Sequence, residues 1–186
     1  MIIFKPRGKR QQIIDTAIPL FSDQGFHNIG IDTIVRESKV AKSTLYKYFP
    51  SKEKMIEESL YVNKVLLQEQ VEDILDQTND SSISNKLQKI YLLHANLNSP
   101  YHLLLRAIIE IKDVYPTAFC IVTKYRTWLV NTIHHLLTQS KPSNDFQDAQ
   151  LFLFIIDGGL NLLFNPELSI EKDVLLNYFL NLVSPK

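Results

Sequence analysis

Apolar residues recur every three or four positions along almost the whole chain, and no segment shows the alternation of a half-buried strand. That pattern confines the fold to packed helices. The 186 residues are 45% hydrophobic, which suffices for a real core in one domain, or in a small module fused to a larger one. Five glycines are too few for a loop-rich β-protein. No internal repeat is visible, and the periodic stretches add up to about nine helices, an all-α fold.

Turn chemistry sets the helix ends. The first helix covers Lys9–Gln24, with an apolar stripe of Ile13, Ile14, Ala17, Leu20 and Phe21. Pro19 interrupts it, and an interior proline can destabilise a helix by ~3 kcal/mol. Gly25 reads as a left-handed stop. A second helix spans Ile31–Ser38, with Gly30 as N-cap and Ile31, Ile34 and Val35 inward. A short turn at Lys39 and Val40 leads to a third, Lys42–Tyr48, which Pro50 ends by disfavouring helical geometry at Phe49. Ser51 caps the fourth helix, Lys52–Asp76, and Glu53 favours its dipole, although Lys54 leaves the capping box incomplete. After a polar break at 79–82, helices are expected over 83–97, from Ser99-Pro100 onward, and from Tyr115-Pro116 to Lys141-Pro142. Asn144 and Asp145 open the next, which runs through Phe164 to a stop at Asn165-Pro166. Ser169 starts the last.

The formal net charge is zero, but it is unevenly spread. Residues 1–54 carry ten Lys/Arg against five Asp/Glu, and residues 55–186 carry ten against fifteen. A basic head on an acidic body points to a polyanion as the head's partner. The single cysteine, Cys120, excludes an intrachain disulfide and a cysteine-based zinc site, and fits a reducing cytoplasm. His134 and His135 point about 100° apart on one helix and make poor joint metal ligands. No metal or cofactor is expected. The start has too short an apolar stretch for a signal peptide, and the longest apolar run, 151–164, is broken by Asp157 and Asn161. A cytoplasmic chain with no membrane partner is therefore expected.

The stretch KVAKSTLYKYFPSKEKM crowds aromatic and cationic groups into a helix too short to be stable alone. Two short helices joined by a tight turn and braced by a third make a helix-turn-helix, at about 30–49, whose second helix enters the major groove. Val40, Leu45 and Phe49 can anchor that helix. Lys42, Ser43, Thr44, Tyr46, Lys47 and Tyr48 are left on the groove side, with donors and a methyl suited to base edges and phosphates.

From Arg10 to Met55 the sequence resembles the DNA-binding domain of TetR-type transcriptional regulators. The matching residues are Ile13-Ile14, Ala17, Leu20-Phe21, Gly25-Phe26, Ile34, Val40, the run Thr44 to Phe49, and Ser51-Lys52-Glu53 with Met55. The chain departs from the family pattern at Pro19, Ile29-Gly30, Val35, Lys39, Ala41 and Ser43. The resemblance implies a DNA-binding domain over 1–52 and a helical ligand-binding and dimerisation domain over 53–186. It implies that Tyr46 and Tyr48 touch sugar-phosphate and that Lys52 binds a phosphate at a helix N-terminus. Thr44 and Lys42 would lie nearest base edges. The basic tail, Lys5, Arg7, Lys9 and Arg10, would reach the backbone or minor groove.

It further implies a homodimer on a palindromic double-stranded DNA operator, released by a largely apolar small molecule. Tyr61, Tyr91, His94, His102 and Trp128 are the candidate ligand contacts. Leu151, Ile155, Gly158, Gly159, Val174 and Tyr178, on the last two helices, are the candidate dimer contacts. Arg106 and Glu110 read as a helix ion pair. Asp157 could face a cationic ligand or bond across the dimer. Two other functions compete. A small all-α enzyme lacks any nucleophile, phosphate-loop or metal-spacing motif to support it. An interaction module keeping the helix-turn-helix as a scaffold is opposed by the basic head.

Overall fold

The apolar stripe of α1 (Lys9–Gln24) is the base on which the N-terminal helices assemble. In the computed structural model, which describes residues 8–76, 82–140, 145–164 and 174–183, Ile13, Ile14, Ala17 and Phe21 of α1 are buried. Pro19 lies on the exposed side of α1 and leaves that stripe intact. Both α2 (Ile31–Ser38) and α3 (Lys42–Tyr48) pack on α1 and on each other. Ile34, Val40, Leu45 and Phe49 are buried, whereas Ile31 and Val35 are only half-buried. Gln12 of α1 donates to the carbonyl of Ser38 at 2.6 Å and closes the far end of α2.

The turn between α2 and α3 is made without glycine. Lys39 adopts φ 52° and ψ 34°, the left-handed conformation that L-residues reach only at some strain. Ala41 precedes α3 and supplies no side-chain cap. At the start of α4 (Lys52–Asp76) the Ser51 hydroxyl accepts the Lys54 amide at 3.2 Å, the expected cap.

Gly25 ends α1 differently from expectation. Its φ is 87° but its ψ is 160°, so it is not a left-handed helical residue. Its positive φ favours glycine, and an added Cβ would lie 2.8 Å from Glu110 Oε1. The carboxylate fills the space where a side chain would go.

The remaining helices are α5 (Ile83–His94), α6 (Tyr101–Glu110), α7 (Pro116–Ser140), α8 (Phe146–Phe164) and α9 (Val174–Val183). No strand occurs among the described residues. The fifth helix ends three residues before the expected Leu97. Asn96 Oδ1 accepts the Asn98 amide at 2.9 Å and the Asn96 carbonyl accepts that of Ser99, so a local turn replaces the helix. Ser99 Oγ accepts the Tyr101 amide at 3.1 Å, and Asp145 Oδ1 accepts the amides of Gln147 and Asp148 at 2.7 and 3.1 Å, capping α6 and α8. The expected breaks at 79–81 and Lys141-Pro142, the opening residue Asn144, the stop at Asn165-Pro166, the start at Ser169, and Lys5 and Arg7 of the tail lie outside the described residues.

The chain divides into two compact units, Met1–Asn63 with Leu103–Val122, and Lys64–His102 with Thr123–Lys186. In the first, the Arg106 guanidinium donates to Glu110 Oε1 at 2.8 Å, the expected helix pair. Glu110 also has long-range partners: Oε2 accepts the Phe26 amide at 2.8 Å, and its carbonyl accepts His27 Nε2–H at 2.8 Å. In the second unit, α5, α8 and α9 pack together, with the Phe152 and Phe179 rings 5.1 Å apart.

A partly buried polar network sits in that second unit. Arg126 grips Asp157 with two hydrogen bonds, Nη1 to Oδ1 at 2.9 Å and Nη2 to Oδ2 at 2.7 Å. Tyr101 donates to Asp157 Oδ1 at 2.6 Å and also receives a hydrogen bond from Arg126. Asp157 is thus held by its own fold, which removes it as a free anion for a cationic ligand. Burial would lower the Arg126 pKa, but the hydrogen bond to Asp157 and the nearby charges outweigh it and raise it.

Candidate nucleic-acid interface

A seven-residue helix must be both anchored and presented, and α3 divides its residues accordingly. Leu45 and Phe49 are 0% and 2% exposed, while Tyr46 and Tyr48 between and beside them are 44% and 39% exposed. Tyrosines so exposed beside buried neighbours are not core residues. Ser43 and Lys47 are exposed with them, and Thr44 is half-buried. Lys52 begins α4 and is half-buried, and that burial lowers its ammonium pKa. Its charge sits at the helix end whose free amides favour anions.

Two of the expected DNA contacts have partners within the protein. Lys42 Nζ lies 2.7 Å from Asp32 Oδ1, and that hydrogen bond raises the lysine pKa. Arg10 Nη2 lies 2.8 Å from Glu58 Oε1, and its guanidinium stands 5.6 Å from the centroid of the Phe49 ring. Asp32 and Glu58 were not among the sequence candidates. A carboxylate with no positional period gives no local signal of its partner. Arg10, Tyr48, Glu58, Tyr61 and Ile121 border a cleft of about 370 Å³ in the same unit.

The expected effector contacts fall in both units. Tyr61 belongs to the first unit and borders the cleft beside Tyr48. Tyr91, His94, His102 and Trp128 belong to the second unit. His94 is fully enclosed: Nδ1–H donates to the Ile90 carbonyl at 2.7 Å, and Nε2 accepts the Tyr125 hydroxyl at 2.6 Å. Burial pushes its pKa down to about 4, so the ring is neutral at pH 7 and both nitrogens serve the fold. The same burial raises the Tyr125 phenol. Trp128 stacks toward Tyr125, with centroids 5.7 Å apart, and borders a cleft of about 410 Å³ with Leu75, Lys86, Asn131 and His135. Among the described residues, no three His, Cys, Asp or Glu side chains gather as metal ligands.

The expected dimer contacts split by face. Leu151, Val174 and Tyr178 are exposed, as are Phe154, Leu175 and Leu182. Phe154 at 67% and Tyr178 at 70% are unusually open for aromatic residues. Ile155 and Gly159 turn inward. Gly159 packs against the Tyr91 ring rather than a second backbone, and Gly158 has open space where its side chain would be. No described helix is long and apolar enough to cross a membrane.

Residues 13–59 match the sequence model of bacterial regulatory proteins of the tetR family. Over that N-terminal segment the chain is similar to regulators of the TetR family. Its relatives include the HTH-type transcriptional regulator YxaF of Bacillus subtilis, 38% identical over 85 residues, which make up 45% of this chain and 41% of YxaF. IcaR of Staphylococcus aureus, a negative regulator of the biofilm operon icaADBC, is 33% identical over 66 residues, 33% of this chain and 36% of IcaR. The matches thus span about two fifths of these curated relatives. The TetR fold extends further. SCO4454, a TetR-family transcriptional regulator from Streptomyces coelicolor, aligns over 96% of this chain and 88% of its own, with a TM-score of 0.78 at 22% identity.

Proposed function

We propose that the chain is a dimeric, ligand-responsive transcriptional repressor that holds a palindromic operator through α3 and the first turn of α4. The observation that carries this reading is the split of α3, with Leu45 and Phe49 buried and Tyr46 and Tyr48 presented beside Lys47 and Lys52. Residues 1–52 read DNA and residues 53–186 bind effector and partner. Tyr46, Tyr48 and Lys52 take phosphates, while the start of α3 meets base edges in the major groove.

Two copies present two α3 helices to adjacent major grooves, about 34 Å apart. The exposed faces of α8 and α9 form the dimer contact, and an effector with an apolar body enters the cleft beside Trp128. The effector acts by binding the DNA-free state more tightly than the DNA-bound one.

The test is fluorescence anisotropy on an operator chosen by the protein from a random duplex library, with salt varied. Lys52→Ala combined with Tyr46→Ala abolishes binding while the far-ultraviolet circular dichroism stays unchanged. Undiminished operator affinity in that variant would sink the assignment of the interface.

A further inference from the structure

Lys42 opens α3, and the first residues of a recognition helix are those nearest base edges. A lysine there has two choices. On a phosphate it adds affinity without sequence information, and on a guanine O6 or N7 it adds discrimination. Its four-carbon stem is flexible enough for either.

Asp32 bears on that choice. It lies in the first turn of α2, where a carboxylate favours the helix dipole, and its Oδ1 is 2.7 Å from Lys42 Nζ. Both side chains are exposed, so the pair faces solvent on the surface assigned to DNA. A carboxylate so placed repels phosphate. It neutralises the one charge that would pull the lysine to the backbone, yet occupies only one of the ammonium's three N–H groups. The remaining donors stay available to a neutral acceptor such as a guanine edge.

We infer that Asp32 is a positioning residue for sequence readout: it holds Lys42 off the phosphates and aims its ammonium at a guanine in each half-site. This rests on the reading of the chain as a DNA-binding regulator. Without Asp32 the protein would bind DNA more tightly in general and less selectively.

The experiment uses full-length protein and the selected operator. Wild type, Asp32→Asn, Asp32→Glu, Lys42→Ala and the Asp32→Asn/Lys42→Ala double variant are titrated against three kinds of duplex. These are the operator, operators with each G·C pair replaced by A·T, and a random duplex, all across a salt series. In wild type, one G·C position per half-site shows a loss of about tenfold on replacement. In Asp32→Asn that discrimination disappears, binding to random duplex tightens, and the slope of log K against log salt steepens by about one per subunit. Asp32→Glu keeps the discrimination, and the double variant behaves as Lys42→Ala alone. An Asp32→Asn protein with wild-type discrimination and salt slope overturns the inference while the regulator reading stands. A wild-type protein that selects no sequence from the library overturns both, before any variant is made.

Discussion

The carboxylate of Glu110 accepts the backbone N–H of Phe26 at 2.8 Å, although 84 positions separate the two in sequence. The same carboxylate takes Arg106 and occupies the space above Gly25, so one side chain closes the end of α1. Glu110→Ala removes both charge-assisted hydrogen bonds and leaves the Phe26 amide without this acceptor. The expected loss is about 2 kcal/mol, read by urea unfolding at fixed protein concentration. Glu110→Gln retains an acceptor and loses roughly half as much. A Glu110→Ala protein as stable as wild type would show that the contact is incidental.

His94 predicts a pH dependence. Its folded pKa, about 4, lies below the unfolded value near 6.5 because burial disfavours the imidazolium. Between those values the unfolded chain binds more protons, so stability rises with pH across the window. Conversely, acidification from pH 6.5 toward 4 removes up to about 1.4 kcal/mol per pH unit through this group. His94→Gln flattens that part of the profile. Proton NMR of the folded protein gives a second check, since the His94 ring resonances should not titrate above pH 5. A normal titration near 6.5 would refute the enclosed network.

Gly158 and Gly159 are neighbours with opposite expected responses. Gly159→Ala drives a methyl into the Tyr91 ring and destabilises by about 1–3 kcal/mol. Gly158→Ala meets open space and gains helix propensity, up to about 1 kcal/mol of stabilisation. Thermal unfolding of the two variants at equal concentration should move in opposite directions.

The outward aromatics of α8 and α9 bear on oligomeric state. Phe154→Asp and Tyr178→Asp place charges on the exposed apolar face without touching the buried pair Phe152 and Phe179. Light scattering after gel filtration should find a dimer in wild type and a monomer in the double variant, with helix content unchanged. A double variant that remains dimeric would place the interface elsewhere.

Local chemistry was legible in the sequence wherever neighbours in the chain settle it. Pro50 ends α3, Ser51 caps α4, and the period of Ile13, Ile14, Ala17 and Phe21 foretells the buried stripe of α1. The division of α3 into anchored Leu45 and Phe49 and presented Tyr46 and Tyr48 follows from the same spacing. Long-range partners left no such trace. Nothing near Asp157 announces Arg126, 31 positions earlier, and nothing near Phe26 announces Glu110. Gly25 is recognisable as a helix stop, but the carboxylate packed over it comes from a distant helix. The periodic pattern reaches Leu97, yet α5 stops at His94 because the Asn96 side chain competes with the helix for backbone donors.

The return of residues 103–122 to the N-terminal unit has a consequence for modular engineering. A chimera that grafted residues 1–63 onto a foreign body would carry α1 to α3 but abandon the contacts of Glu110. Phe26 and His27 would lose their acceptors, and Gly25 would face an empty notch. The transplantable head of this protein is therefore a discontinuous piece. Moving the proposed DNA-binding helices between relatives calls for moving the segment around Glu110 together with them.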